Sequence, residues 1–404
     1  MKLTYKHTVL TCYLANVGGA AANNLASLLF IIFQNEYGLS SIQLATVISV
    51  NFMTQIVVDF LGAKYADKLG YRRTVLLSAS MLTLGLLSLG VLPLLVPDKM
   101  FMALCMSAVI YAIGSGLGEV ILSPIIEALP GDAKESAMSI LHSFYCWGHV
   151  CVVVLSTLYF QVFGTSHWQI LPMIWAIVPL STVFLFSVTP IRSLSEDKVS
   201  VPLRKLFTVK IFWLFMLLML CGGAAELAMA QWSSLFAESA LGVSKTVGNL
   251  LGPCFFAIMM GTSRALYGKY SEKLPLIRAI SLCAVITCVG YLMVSLIPDP
   301  YVALIGCGVI GFGVGIFWPG TLSVASKTIP TGGAGMFAIL ALFGDLGCSV
   351  GPQLAAVVSE AFDNNLKIGL LSCTLFPLLI LISSLIFIKL TGKIKSDVEE
   401  TEEL

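Results

Sequence analysis

Hydrophobic positions run along this chain in long blocks, with polar residues gathered between the blocks or set singly inside them. Breaks rich in charge, Pro and Gly leave twelve apolar stretches, near 8–34, 41–66, 73–95, 100–124, 135–163, 168–190, 209–237, 245–268, 274–297, 301–328, 333–361 and 366–390. A hydrocarbon core about 30 Å thick takes roughly 20 helical residues to cross, and each stretch is long enough. The pattern predicts an all-α membrane protein of twelve transmembrane helices. An even number of spans puts both termini on one side. Of the 23 Lys and Arg residues, only Lys99, Lys245 and Lys367 fall outside the termini, the loops on that side and the span ends flanking them. That asymmetry predicts a multi-pass protein of the cell inner (plasma) membrane with both termini cytoplasmic.

The longest basic connection, 190-PIRSLSEDKVSVPLRKLFTVK-210, lies mid-chain. It predicts a first six-helix bundle over 1–190, a cytoplasmic linker over 191–208 and a second bundle over 209–392, followed by an acidic tail, 393–404, expected to be disordered. The halves echo each other: 63-AKYADKLGYRR-73 aligns without a gap with 268-GKYSEKLPLIR-278, and 130-PGDAKESAM-138 pairs with 330-PTGGAGMFA-338. Two echoes in the same order argue for duplication. Tandem six-helix halves are a common build for secondary transporters, with the solute held between them near the midplane.

Composition sharpens this reading. The chain is 57% hydrophobic and 11% charged, where soluble domains run at roughly a quarter charged. Its net charge of +1 gives no reason to expect nucleic acid as a partner. The expected partners are a small-molecule solute and the lipid bilayer, with the protein itself a monomer. The N-terminus, 1-MKLTYKH-7, is read as the start of an uncleaved first span. Eleven cysteines are scattered without a CxxC and read as small buried hydrophobes, so no metal site is expected. HExxH is absent, and the G-x-S-x-G string at 347–351 and the G-x-G-x-x-G string at 306–311 lie inside apolar spans with no strand before them, so neither an enzyme nor a cofactor is expected; the energy source is a coupling ion, proton or sodium.

Polar residues at mid-span depth are the candidate site. A charged side chain at the bilayer centre costs several kcal/mol, roughly 2.5–3.5 on insertion scales, so it persists where it faces a cavity or a partner. Glu119, Glu226 and Asp345 are the carboxyls of this kind, readable as solute or coupling groups or as packed, hydrogen-bonded acids. His142 and His149 sit seven residues apart on one face of span 5 with Tyr145 between them, as proton or hydroxyl partners or as structural histidines. Span 1 carries Asn16, Asn23, Ser27 and Gln34, and span 2 carries Asn51, Gln55 and Asp59 at i, i+4 and i+8. Of these amides Asn23, Asn24 and Gln55 are the pathway candidates, since neutral donor-acceptors suit hydroxylated ligands; helix-to-helix bonding is the alternative. Trp147, Trp318 and Trp232, the last beside Gln231, are candidates for stacking against a sugar face or for packing. Trp168 and Trp213 lie near span ends and read as interfacial belt residues. The glycines of 114-GSGLG-118 and 311-GFGVG-315, and the pair Gly347 and Gly351 before Pro352, are read as sites of close helix contact and bending.

The segment 63-AKYADKLGYRR-73 resembles the loop 2–3 signature of the major facilitator superfamily, with Asp67, Lys68, Gly70, Arg72 and Arg73 at the pattern's positions, Ala63 in place of its Gly and Tyr71 in place of one basic residue. The resemblance implies a twelve-helix fold in two pseudo-repeats and a conformational latch at these residues, with Glu272 in the second copy. The stretch 119-EVILSP-124 resembles the span-4 pattern E-x-x-x-N-P of the fucose:proton symporter type, with Ser123 replacing Asn. That likeness implies a sugar-binding and proton-coupling role for Glu119, although the first span lacks the acid of that type. The span-5 Gly-Pro motif of drug:proton antiporters is missing from 148-GHVCVVVLST-157. These readings converge on a secondary active transporter that moves a small hydroxylated solute, a sugar first, by proton-coupled alternating access. Efflux of amphipathic drugs or metabolites is the competing reading.

Overall fold

The computed structural model describes residues 4–127, 134–191, 203–270, 275–329 and 333–402. The side chains of Asp67, Lys68 and His142, and the whole of Glu272, lie outside the described residues. Among the described residues, twelve helices are long and apolar enough to cross a membrane: α1 (Tyr5–Tyr37), α2 (Ser41–Gly62), α3 (Tyr71–Leu95), α4 (Pro97–Ile126), α5 (Ser143–Phe163), α6 (Ile170–Val188), α7 (Lys210–Ala240), α8 (Lys245–Tyr267), α9 (Leu276–Leu296), α10 (Pro300–Thr328), α11 (Met336–Ala361) and α12 (Leu366–Leu390). No strand occurs among the described residues. Within a bilayer the backbone must satisfy its own hydrogen bonds, which leaves helices or a closed barrel, and the long apolar runs choose helices.

Packing repeats with an offset of six spans. Helix α1 packs on α5 as α7 packs on α11, α2 on α4 as α8 on α10, and α3 on α4 and α6 as α9 on α10 and α12. Across the middle, α2 meets α11 and α5 meets α8, each the counterpart of the other under that offset. The α7–α11 contact is the closest within the second set. A Cβ on Gly347 would run into the Leu220 carbonyl oxygen, and one on Gly351 into the Ala224 carbonyl oxygen. Neither carbonyl can yield, since both are held in helix α7, so the two small residues set the distance between the helices.

Four spans are interrupted among the described residues, α6 at Ala176 and α12 at Cys373 and Thr374 besides the two that bear on the joint, α1 and α10. Helix α1 tightens into a 3₁₀ turn over Ala26–Leu29 directly after Asn24. There Asn24 Nδ2 donates to the Ala20 carbonyl and Ser27 Oγ donates to the Asn24 carbonyl, local bonds that compete with the regular helix ladder. Helix α10 is interrupted between Pro300–Val314 and Phe317–Thr328, at Gly315 and Ile316. Both breaks release backbone carbonyls, and each finds a donor on α7 or α8.

On the side away from the termini, hydrogen bonds tie the first six spans to the last six. Ile42 N–H donates to Glu360 Oε1 (2.7 Å), Ser49 Oγ to Gln353 Oε1 (3.4 Å), Gln161 Nε2 to Thr246 Oγ1 (3.1 Å) and Asn249 Nδ2 to Thr157 Oγ1 (3.0 Å). Lys245 is the strongest tie. Its Nζ donates to Glu238 Oε1 and to the Leu28 carbonyl of the α1 break, both at 3.0 Å, and lies 5.1 Å from the centre of the Phe160 ring.

Some expectations are corrected. Trp168 is fully buried, edge-on to Phe33 at 5.1 Å, and is a core residue instead of a belt residue because the turn before α6 folds back onto α1. The last helix is described over Leu375–Glu402. At the α2–α3 turn, Gly70 adopts φ 83°, a left-handed conformation that suits glycine. Arg72 donates to the Phe186, Ser187 and Thr189 carbonyls (2.6–2.8 Å), capping the end of α6 within its own half. Arg73 is exposed.

Two outcomes test this packing. Gly351→Ala and Gly347→Ala should each lower the thermal midpoint in detergent, by about 1–3 kcal/mol of overpacking strain, and the double substitution should lose its monodisperse peak in size-exclusion chromatography. Lys245→Met should destabilise by about 1–3 kcal/mol, less than a fully buried pair because both partners are partly exposed. Adding Glu238→Gln to it should cost little more, a coupling that a double-mutant thermal cycle reads directly.

Candidate functional site

A cavity of about 190 Å³ opens between the two sets of six helices. Both sets line it: Asn16 and Asn23 of α1, Gln55 of α2, Glu119 of α4 and Tyr145 of α5 from the first, and Glu226 of α7, Arg264 of α8, Trp318 of α10 and Asp345 of α11 from the second. Polar side chains at this depth are tolerated because they face the cavity or one another instead of lipid.

An amide network forms one wall. Asn23 Oδ1 accepts from Asn51 Nδ2 (3.2 Å), Gln55 Nε2 (3.4 Å) and Ser115 Oγ (3.5 Å), while Gln55 Nε2 also donates to Asn51 Oδ1 (3.0 Å). The i, i+4 spacing of Asn51 and Gln55 places them one turn apart on the same face, so α2 offers a polar stripe to α1. Gln231 Nε2 reaches across from α7 to the Asn23 backbone carbonyl at 3.0 Å, just before the α1 break. The oxygens of Asn23 are thus committed to protein.

Three carboxyls meet a turn further along α2 and α4, where α11 joins them. Asp59, Glu119 and Asp345 each bring an oxygen within 4.8 Å of the other two. Asp345 is 3% exposed, whereas Glu119 presents its side chain to the open cavity. Neither oxygen of Asp59 nor Oδ2 of Asp345 has a hydrogen-bond partner among the described residues. Like charges about 4 Å apart repel by about 4 kcal/mol at an effective dielectric of 20. Three acceptors facing each other call for a positive species among them, of which a proton is the smallest. Two of the three helices belong to the first half and one to the second, so the cluster spans the joint.

Arg264 is the basic counterpart. Its Nε donates to the Gly315 carbonyl freed by the α10 break (2.9 Å), its Nη1 lies 3.2 Å from Cys146 Sγ of α5, and its Nη2 lies 3.9 Å from Met260 Sδ. Glu226 is near enough for the charges to interact, yet no ion pair within 4.0 Å joins Arg264 to a carboxylate among the described residues.

Of the residues singled out from sequence, Glu119, Glu226, Asp345, Asn23, Gln55 and Trp318 come together in this cavity. Others are placed elsewhere. Trp147 is 49% exposed on the outer surface, because two residues along a helix turn it about 200° away from Tyr145. Trp232 is fully buried, donates Nε1 to the Pro352 carbonyl (3.1 Å) and packs on Phe30. His149 is 2% exposed and away from the lining. Asn24 is buried and holds Tyr145 Oη (3.3 Å) and the α1 turn. Gln231 works at the joint between halves, not in the cavity wall.

Asp59 and Arg264 are the residues that sequence reasoning passed over. Asp59 was visible as the third member of the α2 stripe. Arg264 was counted with the basic residues flanking a span end, although it lies a turn inside α8.

No curated protein matches the chain significantly. Among solved structures, a bacterial homologue of the human lysosomal transporter Spinster, inward-facing and unoccupied, is similar at 15% identity and TM-score 0.75, covering 95% of this chain and 98% of its own. A D-xylose–proton symporter is similar at 15% identity and TM-score 0.77, covering 94% and 96%. The nucleoside transporter NupG is similar at 14% identity and TM-score 0.74, covering 95% and 98%. At such identities the likeness is one of fold. The model of the Major Facilitator Superfamily matches residues 11–352. With that match over most of its length, and twelve spans packed as two sets of six, the chain belongs to the Major Facilitator Superfamily.

Proposed function

We propose that this protein is a proton-coupled secondary active transporter of a small hydroxylated solute, a sugar first among them. It would work by alternating access across the cytoplasmic membrane, with its termini in the cytoplasm and as a monomer. The observation that carries the reading is the cavity at the joint, lined by amides and by carboxyls from both halves. Amide N–H groups and carboxylate oxygens match the donors and acceptors of hydroxyl groups, and the Trp318 ring offers an apolar face for the C–H side of a sugar. Size supports the same solute class. A volume of about 190 Å³ is below the roughly 300–1,000 Å³ typical of pockets for drug-sized ligands, which weighs against efflux of extended amphipathic drugs. Two structural neighbours are named as transporters of xylose and of nucleosides, both hydroxylated.

Coupling follows from the cluster on the near side of the joint. With a proton shared among Asp59, Glu119 and Asp345, α2 and α4 can sit against α11. Without it the carboxylates repel, and the helices part on the side of the termini. The far side is held by a different set of contacts, centred on Lys245, Glu360 and Gln353, so the two sides can open in turn. Glu119, the member most exposed to the cavity, is the one through which solute and proton can sense each other.

Glu119→Gln should abolish sugar accumulation driven by an imposed pH gradient in proteoliposomes while leaving solute exchange partly intact. Accumulation unchanged in that variant would remove Glu119 from coupling, and accumulation driven only by a sodium gradient in the wild type would replace the proton by sodium.

A further inference from the structure

Arg264 is bound in an unusual way for an interior arginine. A guanidinium presents five N–H donors in a planar fork, and inside proteins that fork is ordinarily met by a carboxylate or phosphate. Among the described residues its one oxygen acceptor is the Gly315 carbonyl, taken by Nε, and the two outer nitrogens face sulfur: Cys146 Sγ at 3.2 Å and Met260 Sδ at 3.9 Å. Thiol and thioether are weak acceptors. A fixed cation therefore lines the cavity without an anion of its own among the described residues.

The surroundings explain why the protein does not fill that place. Glu226 is close enough to attract Arg264 but stands off beyond ion-pair distance. Asp59, Glu119 and Asp345 are engaged with one another on the wall made by α2, α4 and α11. The Nε–Gly315 bond anchors the fork from behind, so its outer edge is held in place before any ligand arrives. Pre-organisation of this kind is what a binding group needs and what a merely structural arginine, free to swing onto Glu226, does not.

We propose that Arg264 receives an anionic oxygen group, a carboxylate or a phosphate, carried by the transported solute. The solute is then a hydroxylated acid: its anionic end lies in the guanidinium fork and its hydroxyls meet Glu226, Asn23 and Tyr145. Because Cys146 belongs to α5 and Arg264 to α8, the anion also enters where the two halves touch, and its binding replaces a weak contact with the thiol. This inference rests on the reading of the cavity as the solute site.

The test is a matched panel in thermal-shift and transport assays: glucose with glucuronate and glucose 6-phosphate, ribose with ribose 5-phosphate, and uridine with uridine monophosphate. At least one acid should bind the wild type tenfold or more tightly than its neutral partner, and the carboxylate and phosphate arms identify which anion. Arg264→Gln should lose that advantage, and Arg264→Lys, which keeps the charge without the fork, should retain part of it. A neutral member that binds as well as its acids, or acids bound equally by Arg264→Gln, overturns the inference and leaves the reading of a hydroxylated solute in place. Binding by none of the panel overturns both. Should Arg264→Gln fail to fold, the wild-type comparison of acid with neutral partner decides alone.

Discussion

Three carboxyl groups held within 4.8 Å of one another inside a membrane protein are stable only with positive charge among them, and here they belong to both halves of the molecule. Everything else in the joint can be read against that constraint. On the far side the halves meet through contacts indifferent to such a charge: amides, hydroxyls, a carboxylate on a backbone N–H and a lysine already paired with Glu238. On the near side they meet through the acid cluster and through Arg264 against a thiol, contacts whose strength changes with what occupies them. Under the proposed coupling, one side is fixed by its own atoms and the other waits on an ion and a ligand. That asymmetry is what alternating access requires, since a ligand shifts an equilibrium only by binding its two states unequally.

The halves themselves must be rigid for this to work. Gly347 and Gly351 let α11 lie directly on the carbonyls of α7, and Arg72 fixes the start of α3 to the end of α6. Asp345 rides on α11, on the same helix as that glycine pair, so the cluster moves with its half and not independently of it. Rigid packing within each set and conditional packing between them let a small change of charge become a movement of whole helices.

The fold was legible in the sequence because its controlling variable is one-dimensional. Length of apolar run and placement of Lys and Arg are read along the chain, and twelve spans follow. The site is harder, because it depends on angle about each helix axis and on where helices break. Glu119, Glu226 and Asp345 could be found by depth alone, since a carboxyl at that depth is expensive wherever it points. Tryptophan carries no such penalty, so depth could not separate Trp318, in the cavity wall, from Trp147 on the outside or Trp232 in the core. Asp59 lay in the polar stripe of α2, but it stands at the end of the span, where an acid is unremarkable. Arg264 was hidden by the same charge rule that gave the orientation: counting it toward the basic side used up the information it carried.

The break in α10 falls at the end of the glycine-rich 311-GFGVG-315, read as a place of bending, whereas the α1 break at Ala26–Leu29 has no glycine to announce it, and what the two accomplish could not be read without partners. Each releases a carbonyl, and α8 supplies a cation to both. Lys245, at its far end, donates to Leu28 of the α1 break; Arg264, near its other end, donates to Gly315 of the α10 break. Nineteen residues separate them, about 28 Å at 1.5 Å per residue, nearly the thickness of the hydrocarbon core. The two bonds are not equivalent, because Leu28 belongs to the first half and Gly315 to the second. Rocking the halves apart on the far side must break the Lys245 bond, whereas rocking them apart on the near side leaves the Arg264–Gly315 bond whole and severs only its contact with Cys146. Helix α8 therefore has a strong tie between the halves at one end and a weak one at the other, and it is the weak end that the proposed anion would strengthen.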